Sequence, residues 1–198
     1  MPAGDIRAFI DESSGPRPDG QQEYLVCAAL VEVTAVDAVR QSLRTLLLPG
    51  QLKLHWSDEQ SSRRRKIVSQ VADLDVNAIV VSHLDEQRKQ DERYRRKCLE
   101  TLYYTLVERQ IFGATLESRS SNQDKLDRAH IVSLQGQGQG LDPRLRINHA
   151  RGRDEQLLWI SDAVLGTVHV QYLDDGEYMA AFNETLRIRL NTPSSRGE

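Results

Sequence analysis

Five short apolar runs alternate with segments of helical periodicity along this chain, and that alternation constrains its fold more than any other feature. Residues 6–11 (IRAFID) and 24–33 (YLVCAALVEV) are rich in β-branched and apolar side chains, and the turn-prone segment SSGPRPDGQQ joins them. Thr34 can cap a helix carrying Val36, Val39, Leu43 and Leu47, which Pro49-Gly50 ends. A short extended piece, QLKLHW, leads to an Arg-rich helix at about 58–72. A third strand is expected at 76–82 and a long helix at 85–109. That helix is almost wholly charged in its first half and has Tyr94, Cys98, Leu102 and Leu106 at four-residue spacing in its second. A strand at 111–118, a helix at 123–134, a strand at 144–150 and a helix at 154–170 follow. MAAFNETLRIRL is expected to add one more helix. The order β-β-α-α-β-α-β-α-β-α describes one α/β domain over residues 1–190 with a mixed sheet, and 191–198 read as a disordered tail.

Composition narrows the function classes. A chain of 198 residues has the size of one domain, and its 39% hydrophobic content fills a single core. Its net charge of −3 argues against a protein that holds nucleic acid by bulk charge, although a local basic patch needs no net excess. No stretch reaches the roughly 20 apolar residues that span a bilayer. No secretory leader is visible and Cys27 and Cys98 both read as small core residues, so a cytoplasmic setting without membrane contact is expected. The segment QGQGQG at 135–140 lacks the preceding strand and the Lys-Ser/Thr ending of a phosphate loop.

The residues that carry chemistry are acids in apolar company. Asp11 ends the first strand directly after Phe9 and Ile10, and Glu117 ends the fourth after Ala114, Thr115 and Leu116. Asp162 lies within LLWISDAVLG, where helical spacing puts Leu158, Leu165 and Gly166 on its own face. An ionised carboxylate on a core-facing stripe is costly unless a cation or strong donors meet it. Three such acids relieve that cost together by sharing a divalent ion, and Mg²⁺ or Mn²⁺ takes oxygen ligands of this kind. The bland readings are a turn role for Asp11 and an ion pair with Arg119 for Glu117; Asp162 has no comparable alternative.

The AFIDESSG start, the YLVCAALVEV strand, the KLHW piece, the strand ending in LESR and the LLWISDAVLG helix together resemble a bacterial family. It is the domain-of-unknown-function family numbered thirty-eight hundred, and the resemblance covers about residues 6–170. It implies a ribonuclease-H-like fold, a mixed five-stranded sheet with helices on both faces, and a metal-dependent nuclease-type site. Asp11, Glu117 and Asp162 would be its catalytic and metal-binding residues, with the first and fourth strands as neighbours. This chain departs from the family pattern in an additional serine at Ser13-Ser14, in Trp159 near a position where Gln is expected, and in Glu rather than Asp at position 117.

Phosphodiester hydrolysis of RNA or DNA is the reaction such acids would run, with two divalent ions roughly 3.5–4 Å apart activating a water and stabilising the leaving oxygen. Glu12 is either an outer ligand or a solvated turn residue, since neighbours on a strand face opposite ways. Lys53 and His55, Arg119, and Arg151 with Arg153 just before the Asp162 helix are candidate phosphate-binding residues. His169 is expected to take a surface or packing role rather than ligate a metal. The clusters at 63–66 and 93–97 read as solvated faces or interhelical salt bridges. Two other classes remain open: a non-catalytic nucleic-acid- or protein-binding module on the same fold, with a protein partner or self-association, and a phosphotransfer or phosphatase domain. The last lacks an Asp-x-Asp pair and ranks lowest.

Overall fold

A computed structural model describes residues 5–17, 19–87, 92–136, 138, 140–170, 177–182 and 186–196. Strand β1 (Ile6–Pro16) and strand β2 (Gln21–Glu32) form an antiparallel hairpin, closed where Gly20 adopts φ +82° and donates to the Arg17 carbonyl. Helix α1 (Val36–Arg44), helix α2 (Ser61–Ala72), strand β3 (Asn77–Glu86) and helix α3 (Glu92–Glu108) follow. Then come β4 (Gly113–Glu117), α4 (Ser121–Gln135), β5 (Arg146–Ala150), α5 (Leu158–Val170), α6 (Glu177–Ala181) and β6 (Leu186–Asn191). The sheet order is β5-β4-β1-β2-β3-β6, with β1-β2 and β2-β3 antiparallel and the other neighbours parallel.

Strand alternation sorts the core into two layers. Phe9, Leu25, Cys27, Ala29 and Val80 face α1, α2, α5 and α6, while Ala8, Ile10, Val26, Ile79, Val81 and Leu116 face α3 and α4. Helices therefore cover both faces of a mixed sheet, as expected. Cys27 and Cys98 are free and buried, and burial pushes the Cys27 thiol up to about 12. No helix among the described residues is long and apolar enough to cross a membrane.

Several expectations need correction. The first strand does not end at Asp11 but runs on to Pro16, pairing with β2 through most of the segment expected to be a turn. The sheet has six strands, because LRIRLN forms β6 where a helix was expected; Ile188 and Leu190 pack on the α3 side of the sheet, a two-residue period. Among the described residues the helix expected at 85–109 covers Glu92–Glu108, because β3 runs on to Glu86 to pair with Gln21 at the start of β2. The described part of the tail expected to be disordered packs along β3: Thr192 is buried and donates its backbone N–H to the Ser82 carbonyl, and the Arg196 N–H donates to the Leu84 carbonyl. The flexible loop expected at 135–140 falls partly outside the described residues.

Candidate functional site

The register of two parallel strands creates the site. Ile10 pairs with Leu116, and both point to the α3 layer, so Asp11 and Glu117 come next on adjacent strands and face α5. Asp162 descends from α5, which is locked to the sheet by its neighbour Ser161. That buried hydroxyl donates to the Phe9 carbonyl at 2.7 Å and accepts from the Ala29 N–H at 3.1 Å. Burial raises the Asp11 carboxyl well above the usual carboxylate range, and the nearby charges of Glu117 and Asp162 push the same way. Its Oδ1 accepts the Glu12 N–H at 2.8 Å.

The KLHW segment meets the acids from the side. Lys53 Nζ donates to Glu117 Oε1 at 2.5 Å. The Trp56 N–H donates to Asp162 Oδ2 at 2.7 Å, and His55 Nδ1 lies 3.3 Å from the same oxygen. That hydrogen bond raises the His55 pKa above its ordinary value against the opposing effect of burial. The Trp56 ring fits only because residue 166 is glycine: a Cβ there would come within 2.1–2.4 Å of three ring atoms. Arg64 stacks 5.1 Å from the centre of the ring, and Tyr178 meets it edge-on at 5.5 Å. Gly152 is equally close on the other side, where a Cβ would lie 2.6 Å from Glu117 Oε1 and 2.8 Å from Lys53 Cε. Trp159 holds this turn by donating Nε1–H to the Gly152 carbonyl at 2.6 Å.

These groups open onto one cavity of about 620 Å³, lined by Asp11, Glu12, Ser13, Lys53, His55, Trp56, Arg64, Glu117, Ser118, Arg119, Asp162 and His169, among others. Of the residues singled out in the sequence, Asp11, Glu117, Asp162, Lys53, His55 and Arg119 are thus brought together. Arg151 and Arg153 are exposed and do not line the cavity; Arg153 Nε lies 3.6 Å from Asp154. Gly152 between them is what reaches the site. His169, expected to take a surface or packing role, lines the cavity with a buried Nε2 that has no hydrogen-bond partner among the described residues. Arg64 also lines it, although nothing distinguishes it within the run RRRK.

Glu12 points to the opposite face and is neither a turn residue nor on the Asp11 side. It pairs with the Nε of Arg95, and Arg119 Nε lies 3.4 Å from its other oxygen. Arg95 is only 2% exposed and donates to both Asp127 oxygens, at 2.5 and 3.0 Å, while His149 Nε2 is 3.1 Å from Asp127 Oδ2. Burial alone would raise the Asp127 carboxyl, but His149 and Arg95 together hold it below the carboxylate range. Among the described residues, Asp124, Asp127 and His149 bring their ligand atoms within 4.8 Å of one another. The oxygens there are already committed: Asp127 to Arg95 and His149, Asp124 to the Ser118 hydroxyl at 2.7 Å and the Arg119 N–H at 3.3 Å. The arrangement reads as a buried ion-pair network beneath the site. It joins α3 to α4 and fits the interhelical salt-bridge reading of the 93–97 cluster.

No protein-family model matches the chain, and neither does any curated protein. Solved structures do. The fold is similar to ribonuclease HII from Archaeoglobus fulgidus, solved in complex with PCNA, with a TM-score of 0.51 and 14% identity over 92% of this chain and 82% of that one. A more distant likeness is to a mutant of Bst-RNase HIII, with a TM-score of 0.41 and 9% identity over 86% and 56% of the two chains. The protein has a ribonuclease-H-like fold.

Proposed function

We propose that this protein is a divalent-metal-dependent nuclease that hydrolyses phosphodiester bonds of RNA or DNA. The observation that carries this reading is the placement of Asp11, Glu117 and Asp162, from two strands and a helix, on the lining of one open cavity. Like charges repel there in a partly dry place, and burial has already pushed Asp11 toward holding a proton. An all-oxygen donor set of this kind fits Mg²⁺ or Mn²⁺, which keeps waters and substrate phosphate in its remaining positions. Asp11, Glu117 and Asp162 would hold the ion, and bound metal would supply an activated water and charge stabilisation at the scissile phosphate.

The chain's own residues provide the rest. The Trp56 N–H and His55 orient the Asp162 carboxylate, and Gly152 and Gly166 keep the cavity walls thin enough for the acids to converge. Arg64 and His169 bring donors to the cavity, where a polyanion's phosphates would pass, while the Arg119 guanidinium at its edge is engaged by Glu12, Glu92 and Asp127. Membership of the domain-of-unknown-function family, a cytoplasmic setting and a nucleic-acid partner belong to the same proposal.

The test is cleavage of end-labelled single-stranded, duplex and hybrid substrates with Mn²⁺ or with EDTA. Cleavage that needs metal and disappears in Asp162→Asn is expected. Cleavage that survives Asp162→Asn, or none on any substrate, overturns the assignment; binding without cleavage would make the protein a non-catalytic nucleic-acid-binding module.

A further inference from the structure

Lys53 is held more firmly than a phosphate-binding lysine needs to be. Its Nζ hydrogen-bonds Glu117 Oε1, and Asp11 and Asp162 act on the same ammonium. Its stem is wedged against the Gly152 backbone, where a Cβ would lie 2.8 Å from Cε and 3.0 Å from Cδ. That backbone is itself pinned by Trp159. Two residues on, the same segment delivers His55 and the Trp56 N–H to Asp162. One stretch of four residues therefore brings donors to two of the three acids at once.

We propose that Lys53 is a tethered counter-cation that competes with a divalent ion for Glu117, so that metal loading exchanges the ammonium off Glu117 and into the cavity. The inference rests on the reading of Asp11, Glu117 and Asp162 as the metal centre. Its basis is direct: an ammonium hydrogen-bonded to a carboxylate oxygen occupies the lone pair a metal needs, and the two cations repel at contact distance. Lysine suits the exchange, because its charge rides on a flexible four-carbon stem that can swing without moving the backbone.

Two consequences follow. The acids gain an internal partner that offsets part of their repulsion, so the fold does not depend on metal. A phosphate that takes up the displaced ammonium also draws it away from Glu117, so metal and substrate favour each other's binding, and linkage makes this coupling reciprocal.

The experiment is Mn²⁺ titration calorimetry and thermal melts on the full chain, with wild type, Asp162→Asn, Lys53→Met and Lys53→Arg. Methionine keeps the length of the stem and removes the charge; Lys53→Gln is a second neutral variant should Lys53→Met fold poorly. The neutral variants are expected to bind Mn²⁺ about tenfold more tightly, the size of one charge-assisted hydrogen bond. They are also expected to melt lower than wild type in EDTA and to regain most of that loss in saturating Mn²⁺. Lys53→Arg is expected to bind no more tightly than wild type. Unchanged or weaker Mn²⁺ affinity in the neutral variants overturns the exchange while leaving the metal centre standing. Absence of any Asp162-dependent Mn²⁺ binding in wild type and variants alike overturns the metal centre, and the exchange with it.

Discussion

Asp11 and Glu117 follow directly on Ile10 and Leu116, the paired residues of two adjacent parallel strands, and so project side by side toward α5. Asp162 completes the group from the helix above, held by the Trp56 N–H. The pair depends on register alone: a slip of one residue in β4 would send Glu117 to the α3 face.

Asp11 is expected to trade stability for function. Its folded pKa is raised above the unfolded value of 3.8, so its contribution to stability is intact below that value and is lost as pH rises through the folded pKa. Asp11→Asn, which keeps the oxygen that accepts the Glu12 N–H, is expected to melt about 2–4 °C above wild type at pH 7 in EDTA. The gain should vanish near pH 3.5, and metal-dependent cleavage should be lost. Melts of both proteins across that range check the sign.

Asp127 has the opposite sign. Its folded pKa is depressed, so the stability it provides is present above the unfolded value of 3.8 and is lost as pH falls toward the folded value. Acid melts of wild type should steepen below about pH 4. Arg95→Met leaves Asp127 buried without its main partner and is expected to cost about 3–5 kcal/mol, or about 6–20 °C in Tm, at neutral pH. Its acid limb should be flatter than that of wild type.

The two glycines beside the acids are expected to differ in effect. Gly166→Ala drives a methyl into the Trp56 ring and should cost about 1–3 kcal/mol, loosening the segment that carries Lys53 and His55. Gly152→Ala meets the ends of Glu117 and Lys53 instead. It should lower cleavage by tenfold or more through misplacement while shifting Tm by only a few degrees. Differential scanning calorimetry alongside the cleavage assay separates the two.

Much of this arrangement was readable in the residues, and the exceptions have physical causes. Strand alternation and helix periodicity located the core elements, and Asp11, Glu117 and Asp162 stood out because charge in apolar company is expensive. The sixth strand was missed because LRIRLN offers one short two-residue period after a helical stretch. Arg95 and Asp127 were missed for a different reason: each lies in a charged run, and only the packing of α3 on α4 decides which member turns inward. Arg64 and His169 reach the cavity through long-range packing of α2 and α5, which no local pattern encodes. Arg151 and Arg153 were close in sequence to the site, yet the turn presents Gly152 to it.

The most direct test of the central claim is an anomalous-difference map from crystals soaked in Mn²⁺. The expected result is a peak in the cavity, about 2.1 Å from carboxylate oxygens of Asp11 and of Glu117 or Asp162. A peak at Asp124, Asp127 and His149 instead, or none at either place, would contradict the account.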